Sequence, residues 1–310
     1  MKKFILTLVA AGLLFSIFYV MAIALVGWLP FKNLNYRLGA YGHLYTRIRE
    51  IPSVKEVDIL FLGSSHSYRG FDPRIFSQYG ISSFNLGSSS QTPVQAKILL
   101  EKYYEDLRPK IVIYEVSPMT LSNDGIESSL DLIANDYVSE KELKMALELN
   151  HVKTYNSLLY AEIRDLLNFR PYHEPKNVGM DTYVAGGYVE RRLEHNKQKL
   201  KANAGGSVTS NFESLQVESL KEIAAFLKNK HIKVIFIQTP VTSTYYHSQQ
   251  KMNRKFGFLM ANLGLPYYDF NKVIKLNDTT DFYDLHHLNQ KGVEHFNRAL
   301  IGQLALSKLK

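Results

Sequence analysis

The 310-residue sequence contains no cysteine. This absence excludes disulfide bonds and every mechanism that needs a protein thiolate as nucleophile or metal ligand. Dense runs of charge, internal repeats and nucleic-acid-binding motifs are also absent, although Lys and Arg outnumber Asp and Glu by 37 to 29. We therefore expect no nucleic-acid partner, and we attribute the net charge of +8 to solubility and to a nearby anionic bilayer.

The amino-terminal segment is long and apolar. Lys2 and Lys3 precede an uncharged stretch from Phe4 to Pro30, and a helix needs about 20 apolar residues to cross a bilayer. Cleavage of a signal peptide near Ala22-Ile23-Ala24 is the alternative, but the apolar run exceeds the usual ~7–15 residues. We predict an uncleaved, single-pass transmembrane anchor over residues 1–31 in the cell membrane, with the rest of the chain on the extracytoplasmic side.

After a polar connector at 32–55, residues 56–310 alternate between short apolar runs and helical patterns such as Pro93–Leu107. Runs that are hydrophobic throughout are typical of parallel strands covered on both faces. The sequence therefore predicts a three-layer α/β/α sandwich, flavodoxin-like, with a mostly parallel sheet of about five strands. The expected strands are Val57–Leu62, Ser83–Leu86, Lys110–Val116, Lys233–Gln238 and Leu265–Phe270.

The span at about 120–210 interrupts this alternation and is interpreted as an insertion over the edge of the sheet. It contains expected helices at Glu140–Leu149 and Leu158–Phe169, a Tyr- and Gly-containing stretch at Thr182–Arg192, and an expected loop at Ala202–Ser210. Two interpretations stay open, a lid over the site and a plain structural excursion.

Two short motifs carry candidate chemistry. Ser65, in Gly-Ser-Ser-His, directly follows the first predicted strand, where ligands gather in a parallel sheet. Taken alone, this motif also suits a helix N-cap. Asp284 and His287 lie three residues apart before the last helix. At this spacing the carboxylate could orient the imidazole, and the imidazole could activate a serine hydroxyl.

Other polar residues near these motifs were weighed for different roles. Asp281, Asp284, His286 and His287 are potential metal ligands, but side chains of adjacent histidines usually diverge and no second cluster has ligand spacing. We therefore expect no metal and no cofactor, and we expect His286 to point to solvent or backbone. His66 could contact substrate or be surface, and Arg69 and Arg74 could pair with an anionic group.

Taken together, Gly-x-Ser after strand one, Gly87 after strand two and Asp-x-x-His-Leu near the end resemble the SGNH (GDSL-type) hydrolase superfamily. The resemblance covers roughly 57–118 and 233–304 and implies a catalytic triad of Ser65, His287 and Asp284. It also implies an oxyanion hole formed by the backbone N–H groups of Ser65 and Gly87.

The sequence departs from that family at two places. Ser64 replaces the usual Asp between Gly and Ser, and Glu115-Val116-Ser117-Pro118 stands where the family has Gly-x-Asn-Asp. The asparagine that donates to the oxyanion is therefore missing, and loss of one donor typically costs about 10²–10³ in rate. Either Ser117, Gln91 or another donor substitutes for it, or the enzyme is slow or inactive on water.

The Ser-Pro ending, the single anchor and the Gly-Ser-Ser motif are similar to envelope acyl-transfer proteins, namely the D-alanyl-lipoteichoic acid biosynthesis and alginate O-acetylation types. This likeness implies a serine esterase or O-acyltransferase that acts through an acyl-enzyme on Ser65. The expected partners are an acylated glycan or envelope polymer, a membrane-bound O-acyltransferase and the lipid bilayer. The alternative is a catalytically silent scaffold that assists the acyltransferase.

Overall fold

The structure, a computed structural model, describes residues 1–28, 37–39, 41–167, 172–192 and 211–306. Within these ranges the strands are β1 Ile59–Leu62, β2 Ser83–Asn85, β3 Ile111–Glu115, β4 Asn177–Val178, β5 Asp181–Val184, β6 Tyr188–Arg191, β7 Lys233–Gln238 and β8 Tyr267–Asp269. The α-helices in the same ranges are α1 Lys2–Trp28, α2 Leu44–Glu50, α3 Ser65–Tyr68, α4 Pro73–Ser77, α5 Pro93–Leu107, α6 Pro118–Leu121, α7 Ile126–Asn135, α8 Glu140–Leu149, α9 Val152–Leu166, α10 Ser214–Asn229, α11 Ser243–Ser248, α12 Gln250–Asn262, α13 Phe270–Val273 and α14 Gln290–Gln303.

A parallel five-stranded sheet in the order β2-β1-β3-β7-β8 forms the centre of the described chain. Every pairing in it is parallel, with Ile59 of β1 opposite Ser83 on one side and Ile111 on the other. All residues of β1 and β3 are buried, because helices cover both faces of the sheet. The predicted sandwich and its strands are confirmed, with ends that agree to within two residues and with Lys233–Gln238 unchanged.

The two faces of the sheet belong to separate hydrophobic clusters. Leu60 and Leu62 pack in the cluster that includes buried residues of α5 and α10, whereas Ile59 and Phe61 pack in the cluster with Phe296 of α14. This alternation follows from the two-residue period of a strand. Fully burying one such side chain contributes roughly 1.5–3 kcal/mol, so both helical layers are held to the sheet mainly by apolar contact.

The segment expected to be a connector is partly structured. Residues Leu44–Glu50 form α2, a short 3-10 turn follows at Ile51–Ser53, and Leu44, Ile48 and Ile51 are buried in the core. The helical spacing of these apolar residues explains why the segment packs against the sandwich. Thus part of 32–55 belongs to the folded domain and does not act as a spacer.

The insertion lies against the β2 edge of the sheet. Its strands β4, β5 and β6 form a small antiparallel sheet, and the β5–β6 turn places the Gly186 carbonyl 2.9 Å from the Asn85 N–H. Gly187 has a φ of 84°, and a Cβ there would lie 2.3 Å from the Asn85 oxygen, so glycine is required. The expected helix at Leu158–Phe169 is α9, while Phe169 and Ala202–Ser210 lie outside the described residues.

Among the described helices, one is long and apolar enough to cross a membrane. It covers Lys2–Gly27, has a mean hydropathy of 2.5 and exposes nearly all its side chains. Its last turns are an exception, because Ile23 is buried with Tyr160 of α9. A Cβ at Gly27 would lie 2.2 Å from the Tyr160 ring. The carboxyl end of α1 therefore packs closely on the insertion.

Candidate active site

The turn after β1 places Ser65 at the carboxyl edge of the sheet. Gly63 has a φ of 135°, and a Cβ there would lie 2.7 Å from the side chain of Glu115 at the end of β3. Only glycine allows so close an approach. Ser64 then caps α3, since its Oγ accepts the His66 N–H at 3.3 Å. Ser65 is consequently the first residue of α3, with its hydroxyl at the strand-end edge where ligands bind in parallel sheets.

Ser65, His287 and Asp284 form a continuous hydrogen-bonded chain. The Ser65 Oγ lies 2.8 Å from His287 Nε2, and His287 Nδ1 lies 2.8 Å from Asp284 Oδ2. Asp284 Oδ1 also accepts the backbone N–H groups of His286 and His287, at 2.9 and 2.8 Å. Because a carboxylate only accepts, His287 carries its proton on Nδ1, and Nε2 accepts from the serine hydroxyl. This arrangement can remove the hydroxyl proton as Ser65 attacks a carbonyl carbon.

Burial keeps the imidazole of His287 neutral. It lowers the pKa of His287 to about 3, and the hydrogen bond to Asp284 offsets only part of that effect. Burial also raises the pKa of Asp284, but the contacts with His287 outweigh it and hold that pKa well below its usual range. At neutral pH the pair is therefore an ionised carboxylate and an unprotonated imidazole, the state in which His287 can accept a proton.

A second polar chain runs beside the triad and includes the two other histidines. His286 Nδ1 lies 3.2 Å from His66 Nε2, and His66 Nδ1 lies 3.1 Å from Ser64 Oγ. The Ser64 hydroxyl donates to Glu115 Oε2 at 2.8 Å. The expectation that His286 points to solvent or backbone is therefore wrong. His66 is buried and lies inside the network, which corrects its interpretation as a surface residue.

The expectation that the side chains of the adjacent histidines His286 and His287 diverge is also wrong. The rings of His286 and His287 converge, with centroids 4.1 Å apart, and ligand atoms of these two residues and His66 lie within 4.8 Å of one another. In this structure the three rings take part in the two hydrogen-bonded chains just described. Asp281 lies apart from them, since its Oδ2 accepts the Asn277 N–H at 2.9 Å.

The expected oxyanion donors are arranged differently from the prediction. The Gly87 N–H donates to Asn85 Oδ1 at 2.9 Å, so it does not face Ser65 as a free donor. Ser117 caps α6, where it exchanges hydrogen bonds with Thr120. Gln91 uses its amide on the backbone of Gly63 and Leu86. Of the predicted donors, the Ser65 N–H and the Ser117 hydroxyl have no acceptor among the described residues, and the Ser65 N–H lies at the first turn of α3.

Two cavities flank the triad. One of about 290 Å³ is lined by Ser65 and His287 together with residues from three other parts of the chain, namely Gly39, Tyr41, Gly42, His43, Tyr68, Arg69, Ser89, Glu174, Val178, Asp181, Arg191 and Tyr283. A smaller one, of about 30 Å³, is lined by His66, Glu115 and Ser117 beside mostly apolar residues. Ser117 therefore lines the cavity that His66 borders, and not the one that Ser65 and His287 line.

Sequence reasoning missed the polar residues that the connector and the insertion contribute to the larger cavity, among them His43, Glu174 and Asp181. The two arginines singled out in the sequence are both paired internally. Arg69 makes two hydrogen bonds to Asp181, at 2.9 and 2.7 Å, and Arg74 binds Asp72 and Glu190. The expected anionic group bound by these two side chains is thus a set of carboxylates within the protein.

Comparisons with known proteins give one family-model match and several similar solved structures. A protein-family model matches residues 190–306, a span that contains Asp284 and His287 and excludes Ser65. No curated protein matches the chain. Similar solved structures include a GDSL-like lipase from Bacteroides thetaiotaomicron, with 13% identity, coverage of 87% of this chain and 99% of that chain, and a TM-score of 0.43.

Two further similar structures are a lipase/acylhydrolase and a carbohydrate esterase. The first, from Enterococcus faecalis, has 12% identity, coverage of 79% and 94%, and a TM-score of 0.39. The second, a family 3 carbohydrate esterase from Clostridium thermocellum, has 10% identity, coverage of 82% and 98%, and a TM-score of 0.39. The chemistry proposed for this chain rests on its own side chains. The motif order, the parallel sheet and the strand-end position of Ser65, which carry the resemblance to the SGNH (GDSL-type) superfamily, are all present in its fold.

Proposed function

We propose that this chain is a serine-dependent enzyme that hydrolyses or transfers acyl esters through an acyl-enzyme on Ser65. The observation that carries the proposal is the 2.8 Å hydrogen bond between Ser65 Oγ and His287 Nε2, with Asp284 bound to the other ring nitrogen. A serine hydroxyl is a weak nucleophile, and a neutral, oriented imidazole supplies the base that it needs.

The reaction follows from this geometry in two half-reactions. Ser65 Oγ attacks the ester carbonyl carbon while His287 Nε2 takes its proton, and the Ser65 N–H stabilises the oxyanion. The departing alcohol takes the proton from His287 as the ester C–O bond breaks. Water or an acceptor hydroxyl then attacks the acyl-serine, gives its proton to His287, and releases Ser65 with its own proton restored.

The proposed substrates are an acylated glycan or another envelope polymer, and the proposed partners are the bilayer and a membrane-bound O-acyltransferase. The apolar helix α1, which is long enough to cross a membrane, supports a location at the bilayer. Cleavage near Ala24 would remove Ile23, which packs on Tyr160, so the contact favours an uncleaved segment. Protease digestion of intact and permeabilised spheroplasts tests the side, and the mature mass tests cleavage. Resistance in intact spheroplasts would contradict the outward orientation, and a chain beginning near Leu25 would contradict the anchor.

A catalytically silent scaffold is the second candidate. It is favoured by the Gly87 N–H, which donates to Asn85, and by Glu115 at the place of the family's oxyanion motif. The two functions differ in whether Ser65 is activated. A fluorophosphonate labels an activated serine without any knowledge of the substrate, because it forms a covalent bond to the attacking oxygen.

The deciding experiment is fluorophosphonate labelling followed by peptide mass spectrometry on the full-length protein in detergent. We expect the label on Ser65 and its loss in Ser65→Ala. Ser77→Ala, which changes an exposed serine of α4, is the matched control and should label like the wild type. No labelling of the folded wild type would favour the scaffold, and a label on Ser64 or Ser67 that persists in Ser65→Ala would refute the assignment of the nucleophile.

A further inference from the structure

Apolar side chains are exposed where α8 and α9 meet. Leu143 and Leu147 are neighbours on one face of α8, Val152 and Tyr155 are neighbours on α9, and all four are exposed. Two residues connect the helices, and the Tyr155 hydroxyl donates to Asn150 Oδ1 at 2.9 Å across this turn. We call this region, residues 143–155, the α8–α9 corner. A cluster of exposed apolar side chains, unlike a single one, marks an interaction surface.

Helix α8 separates its exposed residues into two faces. Leu143 and Leu147 form an apolar face, whereas Lys144 and Glu148 line a groove together with Lys97 of α5. The charged side chains are therefore directed toward other charged groups of the protein. A helix with charge on one face and apolar side chains on another is suited to the boundary between water and a membrane.

Contacts between α1 and α9 fix the level of this corner relative to the apolar helix. The Tyr19 hydroxyl donates to Asn156 Oδ1, and a Cβ at Gly27 would lie 2.2 Å from the Tyr160 ring. Residue numbers increase together along both helices, so α1 and α9 run side by side in the same direction. Val152 lies one turn before Asn156 on the same face of α9. It is therefore level with a part of α1 that precedes Tyr19.

The part of α1 that precedes these contacts is too short to cross a bilayer alone. Phe4–Phe18 comprises 15 residues, which span roughly 22 Å at about 1.5 Å per residue. The hydrocarbon core is about 30 Å thick, and Lys2 and Lys3 stay outside it because charge is costly there. The shortfall of roughly 8 Å requires the next turn, up to about Ile23. That turn is the one packed on α9, so the start of α9 lies at the depth of the membrane.

We propose that the α8–α9 corner enters the outer leaflet of the bilayer and forms a second membrane contact beside the anchor. Leu147 and Val152 lie among the acyl chains, and Tyr155 lies near the headgroups, where an amphipathic ring is favoured. Lys153, which is exposed beside Val152, reaches the anionic phosphates with its long side chain. The inference rests on the proposed location at the bilayer and adds that the folded domain lies on the membrane surface.

A second contact has a consequence for the catalytic site. A single transmembrane helix allows the attached domain to rotate about the helix axis, whereas two contacts fix its orientation. Helix α9 packs on α7, and α7 packs on α2, the helix that directly follows Gly42 and His43 of the larger cavity. The corner and the cavity thus belong to one packed unit, and Ser65 is held at a constant height above the bilayer. Such an arrangement suits a substrate that is presented at the membrane surface.

The test measures the membrane depth of single spin labels. Because the sequence contains no cysteine, one introduced cysteine carries the only nitroxide of the full-length protein, in vesicles of phosphatidylcholine and phosphatidylglycerol. The test variants are Leu147→Cys and Val152→Cys, and Phe15→Cys reports on the anchor. Phe258→Cys is the matched control, since Phe258 is apolar and exposed on α12, a helix that packs on the edge strand β8 through Phe256. The readout is relaxation of the label by oxygen, which concentrates in lipid, divided by relaxation by a water-soluble nickel chelate.

We expect this ratio to be several-fold higher at Phe15, Leu147 and Val152 than at Phe258. Circular dichroism and fluorophosphonate labelling of Ser65 check that each variant is folded. A high ratio at Phe15 with ratios at Leu147 and Val152 as low as that at Phe258 would overturn the inference and leave the anchor in place. Labels at both corner positions that neither reagent reaches would show a covering protein, such as a second copy of this chain, and would also overturn it. A low ratio at Phe15 would contradict the proposed location at the bilayer, and this inference with it.

Discussion

His286 Nδ1 lies 3.2 Å from His66 Nε2, and the His286 backbone N–H donates to Asp284 Oδ1 at 2.9 Å, so His286 joins the two polar chains of the site. On one side of His286 are Asp284 and His287, whose carboxylate and imidazole ring serve Ser65. On the other side His66 leads through Ser64 to Glu115. Burial lowers the pKa of both His66 and His286 to about 4. The two residues are therefore neutral at physiological pH and can shape the site without adding charge beside His287.

The first prediction separates the two adjacent histidines. His287→Ala should lower the rate of Ser65 labelling by about 10²–10⁴, the usual contribution of a general base. His286→Ala should lower it less than tenfold, because His286 contacts His66 and does not contact Ser65. The labelling rate of Asp284→Asn should lie between the rates of the two alanine variants or near that of His287→Ala, since the imidazole tautomer would no longer be held.

Labelling rates of the three variants test this order, with circular dichroism as the check on folding. The assignment of the base would be wrong if His286→Ala were the inactive variant and His287→Ala labelled at a near-normal rate.

The second prediction concerns the pH dependence of labelling. His287 accepts a proton only when neutral, and burial lowers its pKa to about 3. An imidazole with the ordinary pKa of about 6.5 would be only about 3% neutral at pH 5, whereas His287 would stay almost entirely neutral. We therefore expect the labelling rate at pH 5 to be at least half of that at pH 7. A tenfold fall between these values in protein that keeps its circular dichroism spectrum would contradict the low pKa.

The triad could be found in the sequence because its signals are local. Ser65 directly follows a fully apolar strand, and Asp284 and His287 are three residues apart in one turn. The parallel sheet was predictable for the same reason, since strands buried on both faces are apolar throughout. Each of these features depends on residues that are close in sequence, so the sequence pattern predicts the geometry of those residues.

The rest of the site depends on contacts between distant segments. His66 and His286 are 220 residues apart, and nothing near either one indicates that their rings meet. The Asn85 side chain, which bonds the Gly87 N–H, is positioned by Ser67 from another element. His43 reached the cavity only because α2 packs into the core. Spacing within the sequence carries no information on such tertiary contacts, so the Gly87 N–H was assigned wrongly as a free oxyanion donor.

The third prediction concerns the pH dependence of stability that the buried carboxyl group of Glu115 produces. Burial raises the pKa of Glu115 to about 7, against two hydrogen bonds from Ser64. The folded state therefore binds this proton more tightly than the unfolded state does. Its contribution to stability is full below the unfolded value of 4.5 and is lost as the pH rises through 7. A shift of this size corresponds to about 3 kcal/mol.

Glu115→Gln keeps an oxygen acceptor for Ser64 and removes the titration. We expect the free energy of unfolding of the variant, relative to the wild type, to rise by about 3 kcal/mol between pH 4.5 and pH 8. Asp131→Asn is the matched comparison, because burial raises the pKa of Asp131 to about 7 as well. Urea unfolding at several pH values measures both. A difference between Glu115→Gln and the wild type that stays flat with pH would show that the carboxylate is not desolvated.

The last prediction concerns Arg47, a fully buried arginine that joins three parts of the chain. Its Nη2 donates to the Gly42 carbonyl at 3.0 Å, its Nη1 to the Gly87 carbonyl at 2.8 Å and its Nε to the Gly187 carbonyl at 2.9 Å. One guanidinium thus holds together the segment after the anchor, the turn after β2 and the tip of the β5–β6 hairpin, because it presents its donors in a rigid fork.

Arg47→Met preserves much of the side-chain volume but leaves three carbonyls without their donor, two of them buried. We expect a loss of roughly 3–5 kcal/mol of stability and earlier proteolysis of the hairpin, because all three segments lose their common contact. Arg47→Lys should be intermediate, since a single ammonium group cannot reach three divergent acceptors. Arg108→Met is the control, because Arg108 lies on the surface and pairs with the exposed Glu56, and such pairs contribute about 0–1 kcal/mol. Thermal and urea unfolding of the full-length protein measure the series, and limited proteolysis locates the first cleavage. The free energy of unfolding of Arg47→Met could instead lie within about 1 kcal/mol of that of Arg108→Met, with the β5–β6 hairpin cut no earlier than in that control. In that case Arg47 does not hold the cavity walls together.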